Sequence, residues 1–163
     1  MKTKTIELEA IGVIKTPWET PENMPIQPIG AKGIKGIVEV YPKFSKGLNG
    51  VDGFSHIMLI YQLHLVKNPQ LEVIPFMDNT PKGIFATRSP KRPNKIGVSV
   101  VEIEKLEGNK IHILDVDMMN NSPLLDIKPY FEDFDNRTGT KKGWLANIKD
   151  LNKYYFKSDN RFQ

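Results

Sequence analysis

The segment Ser55–Val66, SHIMLIYQLHLV, alternates without a break. Ile57, Leu59, Tyr61, Leu63 and Leu65 form one face, and His56, Met58, Ile60, Gln62 and His64 form the other. Side chains change sides at every residue only in extended backbone. This period therefore fixes the segment as a β-strand with its odd face toward a core. Weaker alternation recurs along the chain. Ile6, Leu8 and Ala10 run into Ile11 and Val13 as a first strand with a break, and Ile34 to Tyr41 reads as a second. Further strands are expected near 83–88, 97–106 and 110–117, with LLDIKPY (124–130) as a short final strand or turn. The connections are Pro- and Gly-rich, as in WETPENMPIQPIGAKG (18–33), and PKFSKGLNGVDG (42–53) reads as a turn or short helical piece. Helical patterns of roughly 10–15 residues do not intervene between the strands, so a doubly wound parallel sheet is not expected. The expected fold is mainly β, a small antiparallel β-barrel with short helices and a C-terminal extension. Residues 1–145 read as the barrel domain and 146–163 as the extension. The charged tail beyond Asp133 carries Trp144, Leu145, Tyr154, Tyr155, Phe156 and Phe162, a pattern for a helix-plus-loop segment packing on the barrel or on a partner.

Composition removes several classes of chemistry. A chain of 163 residues with 39% hydrophobic content can bury a core without covalent staples. It has no cysteine, which rules out disulfides, thiolate metal sites and cysteine nucleophiles. It has three histidines; His56 and His64 on one strand would stand roughly 27 Å apart and cannot share a metal. His56 and His112 read as structural histidines, and no metal is expected. Nucleotide-loop, nucleophile-elbow and zinc-protease motifs are missing. No apolar run approaches the roughly 18 residues of a membrane span, and MKTKTIELEA lacks the apolar core of a signal peptide, so a cytoplasmic protein is expected. The net charge of +4 is compatible with a nucleic-acid partner.

The residues that carry chemistry are concentrated. GIFATRSPKRPNKIG (83–97) holds Arg88, Lys91, Arg92 and Lys95, no acid, and two prolines, Pro90 and Pro93. Each proline fixes its own φ and biases the residue before it toward extended backbone, so the cations sit on a stiff loop. A stiff cationic loop loses less entropy on binding an anion than a mobile tail does. In LLDIKPY, Asp126, Lys128 and Tyr130 alternate with Leu125, Ile127 and Pro129, giving either a polar pocket wall or a rim of locally paired charges. NNSP (120–123) is a turn by composition and equally a place to grip polar ligand groups.

Taken together, IGVIKTPW (11–18), MPIQP (24–28), GFSHIMLIYQLH (53–64), GIFATRSPKRPNKIGVSVVEI (83–103) and NNSPLLDIKPY (120–130) resemble the TrmO-type (TsaA-like) family, in the family's order. These are tRNA methyltransferases that methylate N6 of threonylcarbamoyladenosine beside the anticodon. The resemblance implies a β-barrel, S-adenosylmethionine as cofactor, tRNA as partner and a homodimer. Carried over by position, it implies cofactor contacts from Pro25, Ile26, Gln27, His64, Leu65, Arg88, Val98, Asn120, Asn121, Ser122 and Pro123. Many family members have arginine in place of Ile26 and Asp-Gly-Thr-Pro in place of Asn120–Pro123. The swap removes a charge and a glycine, although asparagine at 121 still tolerates left-handed backbone.

The implied chemistry needs a base, because a ureido-substituted N6 is a weak nucleophile that must lose a proton near the transfer step. Asp126 is the first candidate and Tyr130 the second. Lys91, Arg92 and Lys95 are expected on the tRNA backbone, and Lys128 on a phosphate or on the carboxylate of the modified base. Two other readings stand beside this one: a methyltransferase of the same fold with another substrate, and a non-catalytic RNA-binding barrel.

Overall fold

The computed structural model describes residues 4–148 and Ser158. Its centre is a closed antiparallel barrel. β1 (Gly12–Lys15), β2 (Gly36–Val40) and β3 (His56–Gln62) come first, then a separate two-stranded ribbon of β4 (Glu72–Val73) and β5 (Lys82–Gly83). The long β6 (Ile96–Glu107), β7 (Lys110–Leu114) and β8 (Ser122–Pro129) follow, and the barrel order is β1-β2-β7-β6-β3-β8, with β8 pairing back onto β1. Closure removes the exposed strand edges that an open sheet of this size would present. Among the described residues, 3-10 turns at Pro28–Ala31, Pro42–Leu48, Val51–Gly53, Ile84–Ala86 and Gly143–Asn147 decorate the barrel, with one short helix, α1 (Glu132–Asp135).

The strands alternate as a half-buried sheet demands. Ile14, Val38, Ile57, Leu59, Val101, Ile111, Ile113 and Leu124 point inward and are fully buried. A six-stranded barrel has a narrow interior, so bulk at one level requires small residues at the same level on facing strands. Gly97 is such a position. A Cβ there would lie 2.5 Å from Cε2 and Cζ of Tyr61, its neighbour across the β3–β6 pairing.

Four expectations are corrected. Ile6 and Leu8 are exposed and unpaired, and the first strand starts only at Gly12, because the earlier alternation has no partner strand to join. Residues 83–88 hold the last residue of β5 and then a 3-10 turn rather than a continuous strand. The short final strand or turn is in fact the eight-residue β8 that closes the barrel. Leu65 is half-exposed, since β3 ends at Gln62. Of the expected extension, only residues 146–148 and Ser158 are described, and Tyr154, Tyr155, Phe156 and Phe162 lie outside the described residues.

Candidate functional site at one mouth of the barrel

Register places one end of every barrel strand on the same rim. Lys15 pairs with Ile37, Gly36 with Ile113, Tyr61 with Gly97 and with Leu124, and Ser122 with Ile14. The loops leaving this rim are those of the sequence-expected ligand segments: 18–33 after β1, 63–71 after β3, 84–95 before β6 and 115–121 before β8. Residues distant in sequence are thereby gathered at one mouth, as expected for a ligand site.

Arg88 leaves the basic loop and donates from Nη1 to Oε1 of Gln27, 2.5 Å away, joining two of these loops. Gln27 in turn donates through Nε2 to the carbonyl of Ile26. The basic loop is tied to β3 where the backbone N–H of Leu63 donates to the carbonyl of Lys95 at 2.8 Å. His64, next in sequence, keeps a buried Nδ1 that has no hydrogen-bond partner. A buried polar atom left unpaired is unusual and makes His64 a candidate site residue. Val98, one position into the outer face of β6, is more than half exposed.

The 115–121 loop is laced to the segment after β1. Asn120 accepts from the backbone N–H of Thr16 at 3.1 Å and donates through Nδ2 to Glu19 at 2.6 Å, while its backbone N–H donates to the carbonyl of Trp18. Its side chain thus fixes the loop's shape, and Asn121 after it is exposed. Asn121 has φ 62°, the left-handed conformation that asparagine tolerates, and accepts from Lys15 Nζ at 2.5 Å. Ser122, the first residue of β8, is buried with its hydroxyl donating to the Met119 carbonyl, and Pro123 follows it in the strand.

Beneath Arg88 lies a polar chain that the sequence reading missed. Tyr61, Ser99 and Asp117 are all buried. Ser99 Oγ lies 2.6 Å from Asp117 Oδ1 and donates to it, and the Tyr61 hydroxyl lies 3.1 Å from the same Oγ. Burial pushes the Asp117 carboxyl up to about 7, opposed by the Ser99 hydrogen bond, a backbone N–H and the charge of Arg88. Burial, and next the charge of Asp117, raise the Tyr61 phenol well above its usual range, against the opposing Ser99 hydrogen bond. The sequence offered one signal for Asp117: an acid inside the apolar run Val116–Met119.

Other expected site residues are placed differently. Asp126 pairs across β3 with Ile60, which also faces Val98, so Asp126 lies on the outer wall about 10 Å from Val98 by strand spacing. Its oxygens are engaged, one with the backbone N–H of Ile127 at 2.9 Å and the other with Lys128 Nζ at 2.8 Å. Tyr130, just past the end of β8, lies four residues beyond Asp126, about 13 Å away and toward the opposite mouth, where its N–H donates to the His56 carbonyl and its ring meets the His56 ring edge-on. One chain therefore does not bring Tyr130 to the Arg88 cluster. Arg92 does not extend toward solvent: Nη1 donates to the carbonyls of Thr87 at 2.8 Å and Ile84 at 3.2 Å, bracing the loop that presents Arg88. Lys95 is partly buried at φ 51°, within the turn that leads into β6. The histidines expected to be structural are bonded locally, His56 to Ser55 Oγ and His112 to Glu107. Among the described residues no group of acids and histidines could hold a metal, and no helix is long and apolar enough to cross a membrane.

Known proteins are similar to this chain in sequence and in fold. A probable S-adenosyl-L-methionine-binding protein from Pyrococcus abyssi is 48% identical over 153 residues, covering 93% of this chain and 82% of that protein. The human tRNA (adenine(37)-N6)-methyltransferase is 38% identical over 94 residues, which is 55% of this chain and 21% of the human one. The crystal structure of TrmO from Pseudomonas aeruginosa superimposes with a TM-score of 0.73 at 30% identity, over 86% of this chain and 63% of that one, so the present chain spans under two thirds of the bacterial protein. Residues 13–136, which run from β1 through α1 and contain the whole barrel mouth, match the tRNA-methyltransferase O N-terminal domain, and the chain belongs to that family.

Proposed function

We propose that this chain is an S-adenosylmethionine-dependent tRNA methyltransferase acting on N6 of threonylcarbamoyladenosine next to the anticodon. The observation that carries this reading is the meeting of four distant segments, at Gln27, His64, Arg88 and Asn121–Pro123, on one barrel rim. The residues present suit the cofactor. Arg88 offers a planar guanidinium to a carboxylate, His64 offers an unpaired buried ring nitrogen, and the Asn121–Pro123 backbone and the exposed face of Val98 supply polar and apolar contacts. Pro25, Ile26 and Leu65 line the same rim in this reading. S-adenosylmethionine, when bound, supplies an electrophilic methyl group on a sulfonium. The chain's own part is to hold the acceptor nitrogen in line, exclude water and take up one proton.

Asp117, rather than Asp126, is the carboxyl we assign as proton acceptor. A base works best when its pKa lies near the working pH, and burial lifts Asp117 to about 7. Asp126 is instead satisfied by Lys128 and Ile127 on the outer wall. Arg92 braces the loop in this reading, while Lys91, Lys95 and Lys128 contribute positive charge toward the tRNA backbone. A cytoplasmic homodimer belongs to the same proposal, and a second copy is the route by which Tyr130 would reach a cofactor cluster.

Calorimetric titration of S-adenosylmethionine tests the core of this reading. Wild-type protein is expected to bind, and Arg88→Ala to bind roughly 10- to 100-fold more weakly, the loss expected for a charged hydrogen bond. Absence of binding to folded wild-type protein would overturn it. Mass spectrometry of tRNA with and without the threonylcarbamoyl group then decides the substrate, with methylation expected only on the modified tRNA.

A further inference from the structure

The Ile84–Ala86 turn presents an exposed aromatic ring for which neither the fold nor the cofactor cluster has a use. Phe85 is 77% exposed, whereas Ile84 beside it is 1% exposed and anchors the turn in the protein. The turn is held from several sides. Ile84 N–H donates to Leu71, the Thr87 hydroxyl and N–H both donate to the Ile84 carbonyl, and Arg92 donates to Ile84 and Thr87. From the C-terminal side, Trp144 Nε1 donates to the Ala86 carbonyl at 2.8 Å. The Arg92 guanidinium carbon lies 5.8 Å from the Phe85 ring centroid. An apolar ring is therefore kept in water on a braced turn, three residues before Arg88.

We propose that Phe85 is a stacking platform for an unpaired nucleobase of the RNA substrate, next to the base that enters the barrel mouth. This deepens the tRNA reading above and rests on it. Three observations favour RNA over a protein surface as the occupant. The stretch 83–97 contains four cations and no acid, which complements a phosphate chain. A guanidinium beside an exposed ring is the pairing on which splayed bases stack in single-stranded RNA recognition. The backbone that carries the ring is held by its turn, so presenting the ring costs little backbone entropy. A pair of exposed rings elsewhere on the protein provides the contrast. Phe131 and Phe134 stack on each other at 5.0 Å, but they sit among Glu132, Asp133 and Asp135, which would repel a phosphate backbone.

The test compares Phe85→Ala, Phe85→Leu and Phe85→Tyr with wild type. The probe is a dye-labelled anticodon stem-loop RNA carrying threonylcarbamoyladenosine, followed by fluorescence anisotropy across a salt series. S-adenosylmethionine titration and sedimentation of each variant serve as controls for the cofactor site and the assembly state. Alanine and leucine are both expected to weaken RNA binding about 10-fold, and tyrosine to stay within about 2-fold, because stacking needs a ring rather than apolar bulk. The slope of log affinity against log salt is expected to be the same in all four, since losing a ring releases no counterion. Equal affinity of alanine and wild type would overturn the proposal. So would a loss that tracks dissociation into smaller species, which would make Phe85 part of a contact between copies. Wild-type protein that binds this RNA but does not methylate it would sink the methyl-transfer reading, while the Phe85 series would still decide the stacking role. Wild-type protein that does not bind it overturns both.

Discussion

Asp117→Asn is expected to make the protein more stable at pH 8 and at the same time to disable it. The carboxyl is buried under Arg88 and raised from 3.8 to about 7. A raised carboxyl leaves folding unpenalised below the unfolded-state pKa. It then destabilises progressively as pH rises from about 4 to about 7, as the native state is forced to bury a charge. A shift of roughly 3 units corresponds to about 4 kcal/mol at pH 8, an order-of-magnitude figure. Asparagine keeps an acceptor for Ser99 and removes the charge, so the variant is expected to recover much of that amount in urea unfolding at pH 8 and little at pH 4. Asp78, Glu104 and Glu107 are all lowered and are present in both proteins, so their contributions cancel in the comparison. Methyl transfer is expected to move the other way. In wild type the rate should rise with pH through about 7, as Asp117 loses its proton. In the variant it should fall by roughly 100-fold or more and lose that pH step. S-adenosylmethionine affinity in the variant is the control. A variant with wild-type rates would return the base role to Asp126. One that gains no stability at pH 8 would mean that Arg88 compensates the buried charge more fully than burial penalises it.

Gly97→Ala is the second large effect, and it acts through the same polar chain. The added methyl would lie 2.5 Å from two ring carbons of Tyr61 and 2.9 Å from its hydroxyl. Tyr61 is buried in the barrel and bonded to Ser99, so the ring cannot swing aside without breaking that link. Overpacking of this kind costs roughly 1–3 kcal/mol, and breaking a buried hydrogen bond adds to it. The measurement is denaturant unfolding of Gly97→Ala, Tyr61→Leu and the double variant. If the clash is the cause, alanine at 97 should cost far less in the Tyr61→Leu background than alone, a non-additivity that adjacent sites show. Additive losses would point to the backbone of β6 instead.

The parts legible in sequence and the parts hidden from it differ in physical kind. The β3 alternation at Ile57, Leu59 and Tyr61 was readable because a half-buried strand imposes its period directly on the residues. Its continuation to Leu65 misled, because the last links to β6 fall near Leu63 and periodicity carries no record of where a partner strand stops. Ile6 and Leu8 misled for the same reason. The family-like motifs fall on loops that share one rim, and the turn at Asn121 adopts the left-handed backbone that its residue type allows.

The electrostatic roles were harder to read. Asp126 looked like a pocket acid, but β8 shifts register between Leu124 and Asp126 opposite Tyr61 and Ile60, and this turns the acid to the outer wall. Arg92 looked like a phosphate contact because composition cannot separate a cation facing water from one tied to the carbonyls of Ile84 and Thr87. Asp117 was passed over because the burial that raises its pKa is produced by β3, β6 and the 115–121 loop together.

The barrel mouth draws on Gln27, His64, Arg88 and Ser122, which come together only when the loop after β1, the end of β3, the basic loop and the start of β8 are all in place. No hairpin or partly formed sheet holds more than a fraction of these groups. A ligand at this mouth would thus bind the complete domain and ignore every partial one, so mass action would transmit its binding energy to the whole hydrogen-bonded ring. At a concentration a hundredfold above its dissociation constant that amounts to about 2.7 kcal/mol. Amide exchange should then slow by a similar factor across β1, β2, β7 and the other barrel strands alike, including those that touch no ligand atom, while the β4–β5 ribbon outside the ring is left to open on its own terms.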